Sequence, residues 1–129
     1  MRLNRIATIL TVLISLGPVS PGMGQTAPDT ALLHASEGAA ALLRGQYEKA
    51  IVSYDEALKS PKLTEARRAN IFNDRGVALW RLKRHSEAIA DFNRVLELIT
   101  DPVWRQNTCN DLQEIGAENA ACNGGSDGP

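Results

Sequence analysis

Histidine and cysteine are scarce in this 129-residue chain, two of each, and that scarcity excludes most chemistry at the outset. His34 and His85 have no recognised metal-ligand spacing, and a site would require both to converge from distant parts of the chain. Cys109 and Cys122 fit neither a thioredoxin-type nor a haem-attachment spacing. A glycine-rich phosphate loop and a nucleophile elbow are both missing. The carboxylates of Asp55, Glu56, Asp74, Glu87 and Asp91 fall mainly on the polar faces of the helices expected below. Solvated charge is the default there, not general acid or base work. The chain is therefore read as noncatalytic, with no cofactor and no metal.

An excess of charge of one sign is missing as well. Fourteen Lys and Arg stand against 15 Asp and Glu, so nothing steers the chain to nucleic acid. Basic residues do gather at Arg67 and Arg68 and at Arg81, Lys83 and Arg84, which read as a solvated helix face rather than an anion site. A membrane-spanning run is missing too: the uncharged stretch 6–16 is well short of the roughly 20 residues that cross a bilayer.

That stretch is nevertheless informative. Arg2 and Arg5 precede it, and Gly17, Pro18, Pro21, Gly22, Met23 and Gly24 follow, the layout of a secretory signal peptide cleaved after Gly24. Removal leaves 12 basic against 15 acidic residues, a net charge of −3. No Cys lies near the cleavage point, so a lipid anchor has no attachment site. The mature chain is expected to be exported, periplasmic or secreted in a bacterial cell, meeting the membrane only in transit. Oxidising compartments favour disulfides, so an intrachain Cys109–Cys122 bridge is the leading reading. Two unpaired thiols and an intermolecular bond stay open, because spacing does not show that the Cβ atoms meet.

What the chain has in place of chemistry is a repeat. Gly38, Tyr47, Ala50, Ile51, Tyr54, Ala57 and Leu58 recur 38 residues on as Gly76, His85, Ala88, Ile89, Phe92, Val95 and Leu96. Each block reads as two amphipathic helices, 31–44 with 47–59 and 65–84 with 86–98, joined by breaks short enough to force hairpins. Gly38 and Gly76 are expected to face Ala50 and Ala88, where larger side chains would push each hairpin apart.

These residues resemble the tetratricopeptide repeat. Gly38, Gly45, Tyr47, Ala50, Tyr54, Ala57 and Leu58 with Pro61, then Phe72, Gly76, Ala88, Phe92 and Leu96 with Pro102, sit close to that family's pattern over roughly half of the chain. The resemblance implies an all-α fold, a short right-handed α-solenoid with repeats at about 31–61 and 69–102 inside a domain at 25–122. There are departures. His34 replaces a large apolar residue, and Lys83 stands opposite Gly45, so the second turn lacks an easy left-handed residue. The offset exceeds the family's spacing of about 34 residues by about one helical turn, placed at 65–69 behind Thr64 as N-cap.

Two repeats need a cap, because each buries its apolar face only against neighbours. Asp101 as N-cap and Pro102 at the first helical position open a fifth helix at about 102–116. Trp104, Leu112 and Ile115 are expected to cover the second repeat and Gly116 to end the helix, ahead of a disordered tail at 123–129.

The resemblance further implies a groove lined by the first helix of each pair. The matching positions are Leu32, Ala35, Ala39, Leu42 and Leu43, then Asn70, Asn73, Val77, Trp80 and Arg81. Asn can hydrogen-bond an extended backbone, and Trp80 reads equally as core or as contact surface. A clamp for a terminal carboxylate is absent, since Ala35, Ala39 and Asp74 hold its positions and Asp74 would repel the ligand. The function implied is a protein–protein interaction module for a peptide or helix of another envelope or secreted protein. The alternative is a structural homo-oligomer that fills the same surfaces with a second copy.

Overall fold

In the computed structural model of the chain, the described residues are 29–123. The expected signal peptide at 1–24 lies outside them, as does the tail at 124–129. Six helices follow in order: α1 Thr30–Leu43, α2 Tyr47–Leu58, α3 Glu65–Arg81, α4 His85–Leu98, α5 Pro102–Glu114 and α6 Ala120–Asn123. Among the described residues no helix is long and apolar enough to cross a membrane. Asn123, expected in a disordered tail, instead closes α6, a helix that was not anticipated.

The first helix of each pair starts on a side-chain cap. Asp29, Thr64 and Asp101 accept from the backbone N–H of Ala31, Arg67 and Trp104, which relieves donors that a helix start leaves orphaned. Helices α2 and α4 have no such cap; each is entered straight from the end of the helix before it. In the first turn Gly45 N–H donates to Leu42 O and Gln46 N–H to Ala41 O, while Gln46 O already accepts from Ala50. The second turn repeats this with Lys83 to Trp80, Arg84 to Leu79, and Ala88 to Arg84. Both are Schellman turns, and both need a left-handed residue. Gly45 supplies φ 70° without strain, whereas Lys83 is driven to φ 63° by the hydrogen bonds around it. The hairpin closes alike in both blocks despite the missing glycine. A third Schellman turn at Gly116, φ 80°, ends α5.

Gly38 and Gly76 are tight points, and what approaches each most closely is an aromatic ring that was not foreseen there. A Cβ on Gly38 would lie 2.6 Å from the Tyr54 ring, and one on Gly76 would lie 3.0 Å from the Phe92 ring. The aromatic rings pass over the glycines, and Ala50 and Ala88 are buried deeper along the seam. The surplus helical turn is at the start of α3, which has 17 residues against 14 in α1. It has a use: Arg68, expected in a solvated basic cluster, donates to Leu58 O at 3.2 Å and Ser60 O at 3.0 Å. Arg105 in α5 does the same to Leu96 O and Ile99 O. Each guanidinium satisfies the last carbonyls of the preceding helix, the end that favours a cation.

Helix α5 covers the second hairpin. Leu112 and Cys109 enter the main core with Ile115 against it, while Trp104 packs with Phe72 and Leu98 on Ala69, Val95 and Ile99. Cys109 and Cys122 are joined by an intrachain disulfide, S–S 2.04 Å, which holds α6 to α5. Asn119 Nδ2 adds a hydrogen bond to Asn93 Oδ1 on α4 at 2.6 Å.

Candidate functional site: a groove between α1 and α3

The first helices of the two pairs, α1 and α3, meet in a groove whose floor includes Tyr54 of α2. Part of it is a pocket of about 190 Å³. Leu32 and Ala35 of α1 form one wall and the buried Ile71 of α3 the other, with Tyr54 beneath and Asn70 exposed at the mouth. Three of the expected groove residues, Leu32, Ala35 and Asn70, thus meet in one place. Asn73 joins through its Nδ2, 3.5 Å from Asp74 Oδ1. The others are elsewhere. Leu42, Val77 and Trp80 are partly buried against the core, and Ala39 is half-buried. Arg81 is exposed with its guanidinium 5.5 Å from the Trp80 ring centroid. Leu43 is 90% exposed at the hairpin tip.

Asp74 dominates the pocket's electrostatics. Tyr54 donates its hydroxyl to Asp74 Oδ2 at 3.3 Å across the two repeats. Burial raises the Asp74 carboxyl above the ordinary carboxylate range, and the hydrogen bonds from Asn73 and Tyr54 pull it back only in part. The Tyr54 phenol is pushed up by its burial and then by the neighbouring Asp74 charge. Among the described residues no cationic side chain pairs with Asp74.

The other carboxylates divide. Asp91, expected on a solvated face, is buried: its side chain is 5% exposed and accepts from Arg75 Nε at 2.8 Å and Nη2 at 2.7 Å. Arg75 also donates to Asp55 on α2, so one guanidinium ties three helices together in a cleft of about 350 Å³. Its proton is held more tightly than usual, chiefly by the Asp91 hydrogen bonds. This cleft is a structural ion network whose cation is already shared by two carboxylates. His34 is half-exposed beside Glu37, and His85 is exposed at the start of α4.

Tyr54, Ile71 and Arg67 belong to the pocket and were not foreseen there, and Asp74, expected at a clamp position of the groove, belongs to it as well. A further signal for Asp74 alone exists in a second repeat, 37 residues apart: Arg68, Asn70, Asn73 and Asp74 recur in α5 as Arg105, Asn107, Asn110 and Asp111. Because Arg68 and Arg105 both reach back to the preceding helix, α3 and α5 present this pattern at the same rotation. The offset differs from the 38 of the aromatic block, which hides it from a search at a single period.

Residues 69–102 match the family model of the tetratricopeptide repeat. The match begins four residues inside α3, so 65–68 are the surplus turn. No curated protein and no solved structure matches the chain. With a second hairpin of the same form and helices throughout, the described residues make a tetratricopeptide-like helical repeat. Such repeats generally bind proteins or peptides and are generally noncatalytic scaffolds.

Proposed function

On the premise of a chain built from tetratricopeptide-like hairpins, we propose that it is a noncatalytic interaction module of the bacterial envelope or secreted space. Residues 1–24 export it, and the groove between α1 and α3 takes a peptide or helix of a partner protein. The observation that carries this reading is the pocket itself, where the apolar Leu32 and Ala35 face the exposed amide of Asn70. Apolar walls supply contact area, and Asn70 and Asn73 offer donors and acceptors to a backbone. Affinity capture from envelope extract, comparing the wild type with a Leu32→Ser, Asn70→Ala double variant at two exposed pocket residues, tests it. A partner held by the wild type and lost by the folded variant supports the groove; equal capture by both sinks it. N-terminal mass of the secreted product tests the cleavage after Gly24.

Self-association is the second reading, favoured by Leu33, Leu43 and Val52, which leave the first hairpin with exposed apolar side chains. Light scattering decides it. A dimer that Leu43→Ser or Val52→Ser returns to monomer supports it, and a monomer at all concentrations removes it.

A further inference from the structure

We infer that the groove is selective for a basic residue: the pocket between α1 and α3 takes a lysine or arginine side chain of an extended partner segment, with Asp74 as its counter-charge. This rests on the groove-binding reading above. The pocket has the two parts such a side chain needs. Leu32, Ala35 and Ile71 match an aliphatic stem, and the Asp74 carboxylate matches the cationic head.

The free protein leaves that carboxylate without a cation. Its hydrogen-bond partners, Tyr54 and Asn73, are both neutral, while the buried carboxylate of Asp91 on α4 has a bidentate arginine. An asparagine at 74 would still accept from Tyr54 through its amide oxygen and would carry no charge into a half-buried site, where burial outweighs the two hydrogen bonds that favour the charge. The fold gains nothing from the charge, and a residue that the fold would be better without is expected where binding requires it. An independent observation points the same way. Asp111 repeats Asp74 in the same Arg, Asn, Asn, Asp pattern on α5, and burial raises its carboxyl too. Arg67, exposed at the mouth of the pocket, sets a limit: it disfavours a run of basic residues, so the partner segment has one basic residue flanked by neutral or acidic ones.

The test is selection of a random displayed peptide library on the full disulfide-bonded chain, followed by affinity measurements with an enriched peptide. The expected result is a Lys or Arg at one fixed position. Changing it to Gln, or changing the protein by Asp74→Asn, weakens binding about tenfold, and the two changes together cost no more than either alone. Asp74→Lys shifts the selected position to Asp or Glu. Thermal melting establishes that both variants are folded. Enriched peptides with no basic preference, or basic peptides indifferent to Asp74→Asn, overturn the inference; if the Leu32→Ser, Asn70→Ala variant still loses them, the groove reading survives. No enrichment on the wild type overturns both.

Discussion

The two hairpins close with the same turn and place an aromatic ring over the same glycine, yet they are held together differently. The positions of Arg75 and Asp91 in the second hairpin are Glu37 and Ser53 in the first. Where the second has a buried ion pair, the first has an exposed Glu37 beside His34 and a buried neutral Ser53. Four large apolar side chains, Leu32, Leu33, Leu43 and Val52, are exposed on the first hairpin, whereas the second is covered by α2 on one side and α5 on the other. A repeat with neighbours can afford buried charge because adjacent helices supply its partners. A terminal repeat has no such help and keeps its interior neutral.

Removing the ion pair is expected to have the largest effect. Arg75→Ala leaves Asp91 buried without a partner and should cost about 3 kcal/mol in denaturant unfolding. Replacing both, Arg75→Met with Asp91→Leu, should restore most of it, since the pair's desolvation cost disappears with it. Asp55→Asn should cost little, because that carboxylate is about half exposed. Equal losses at Asp55 and Arg75 would refute the assignment of the burden to Asp91.

The glycines give the next contrast. Alanine gains roughly 1 kcal/mol of helix propensity over glycine, and at Gly76 the contact at 3.0 Å with Phe92 should offset that gain. At Gly38 the 2.6 Å overlap with Tyr54 is worse, and the ring is tethered to Asp74 by its hydroxyl. Gly38→Ala is therefore expected to destabilise by about 2 kcal/mol and Gly76→Ala by less than about 1 kcal/mol. Releasing the tether with Tyr54→Phe should narrow the difference.

The hairpins, the capping helix, the N-caps at Thr64 and Asp101 and a surplus turn at the start of α3, expected at 65–69 and found at 65–68, were all legible in the sequence, because each follows from local spacing or from one capping residue. The glycine partners were not. Helical periodicity places Gly38 opposite the second helix but does not say whether an alanine or the next aromatic along the seam fills the space. Asp91 was misplaced for a related reason: its burial depends on Arg75 from another helix, which the periodicity of α4 alone does not contain. The groove was legible as a face, through Leu32, Ala35 and Asn70, but its depth was not. The Tyr54 hydroxyl crosses from one repeat to the next, and no pattern within either repeat marks it.

The two left-handed turn residues differ by a smaller amount. Lys83 adopts the conformation that Gly45 adopts, at the cost of about 1 kcal/mol for a residue with a Cβ. Lys83→Gly should recover about 0.5 kcal/mol after the entropy of the added glycine, and Gly45→Ala should lose about 1 kcal/mol. Equal and small responses at both sites would mean that the turn hydrogen bonds do not impose the left-handed geometry.

The smallest effect separates Asp74 from its counterpart on α1, the exposed Ser36. Burial raises the Asp74 carboxyl above its unfolded value, so the folded state binds the proton more tightly than the unfolded chain does. Stability from this group is therefore greatest at low pH, where both states are protonated, and falls as pH rises from the unfolded value through the raised folded one. Asp74→Asn removes the charge and keeps an acceptor for Tyr54. It should raise the melting temperature at neutral pH, by a stability gain of no more than about 0.5 kcal/mol, and leave it unchanged below the ordinary carboxylate range. A loss of stability at neutral pH would mean that the ionised Asp74 is already compensated in the free protein, and the need for a partner's cation would go with it.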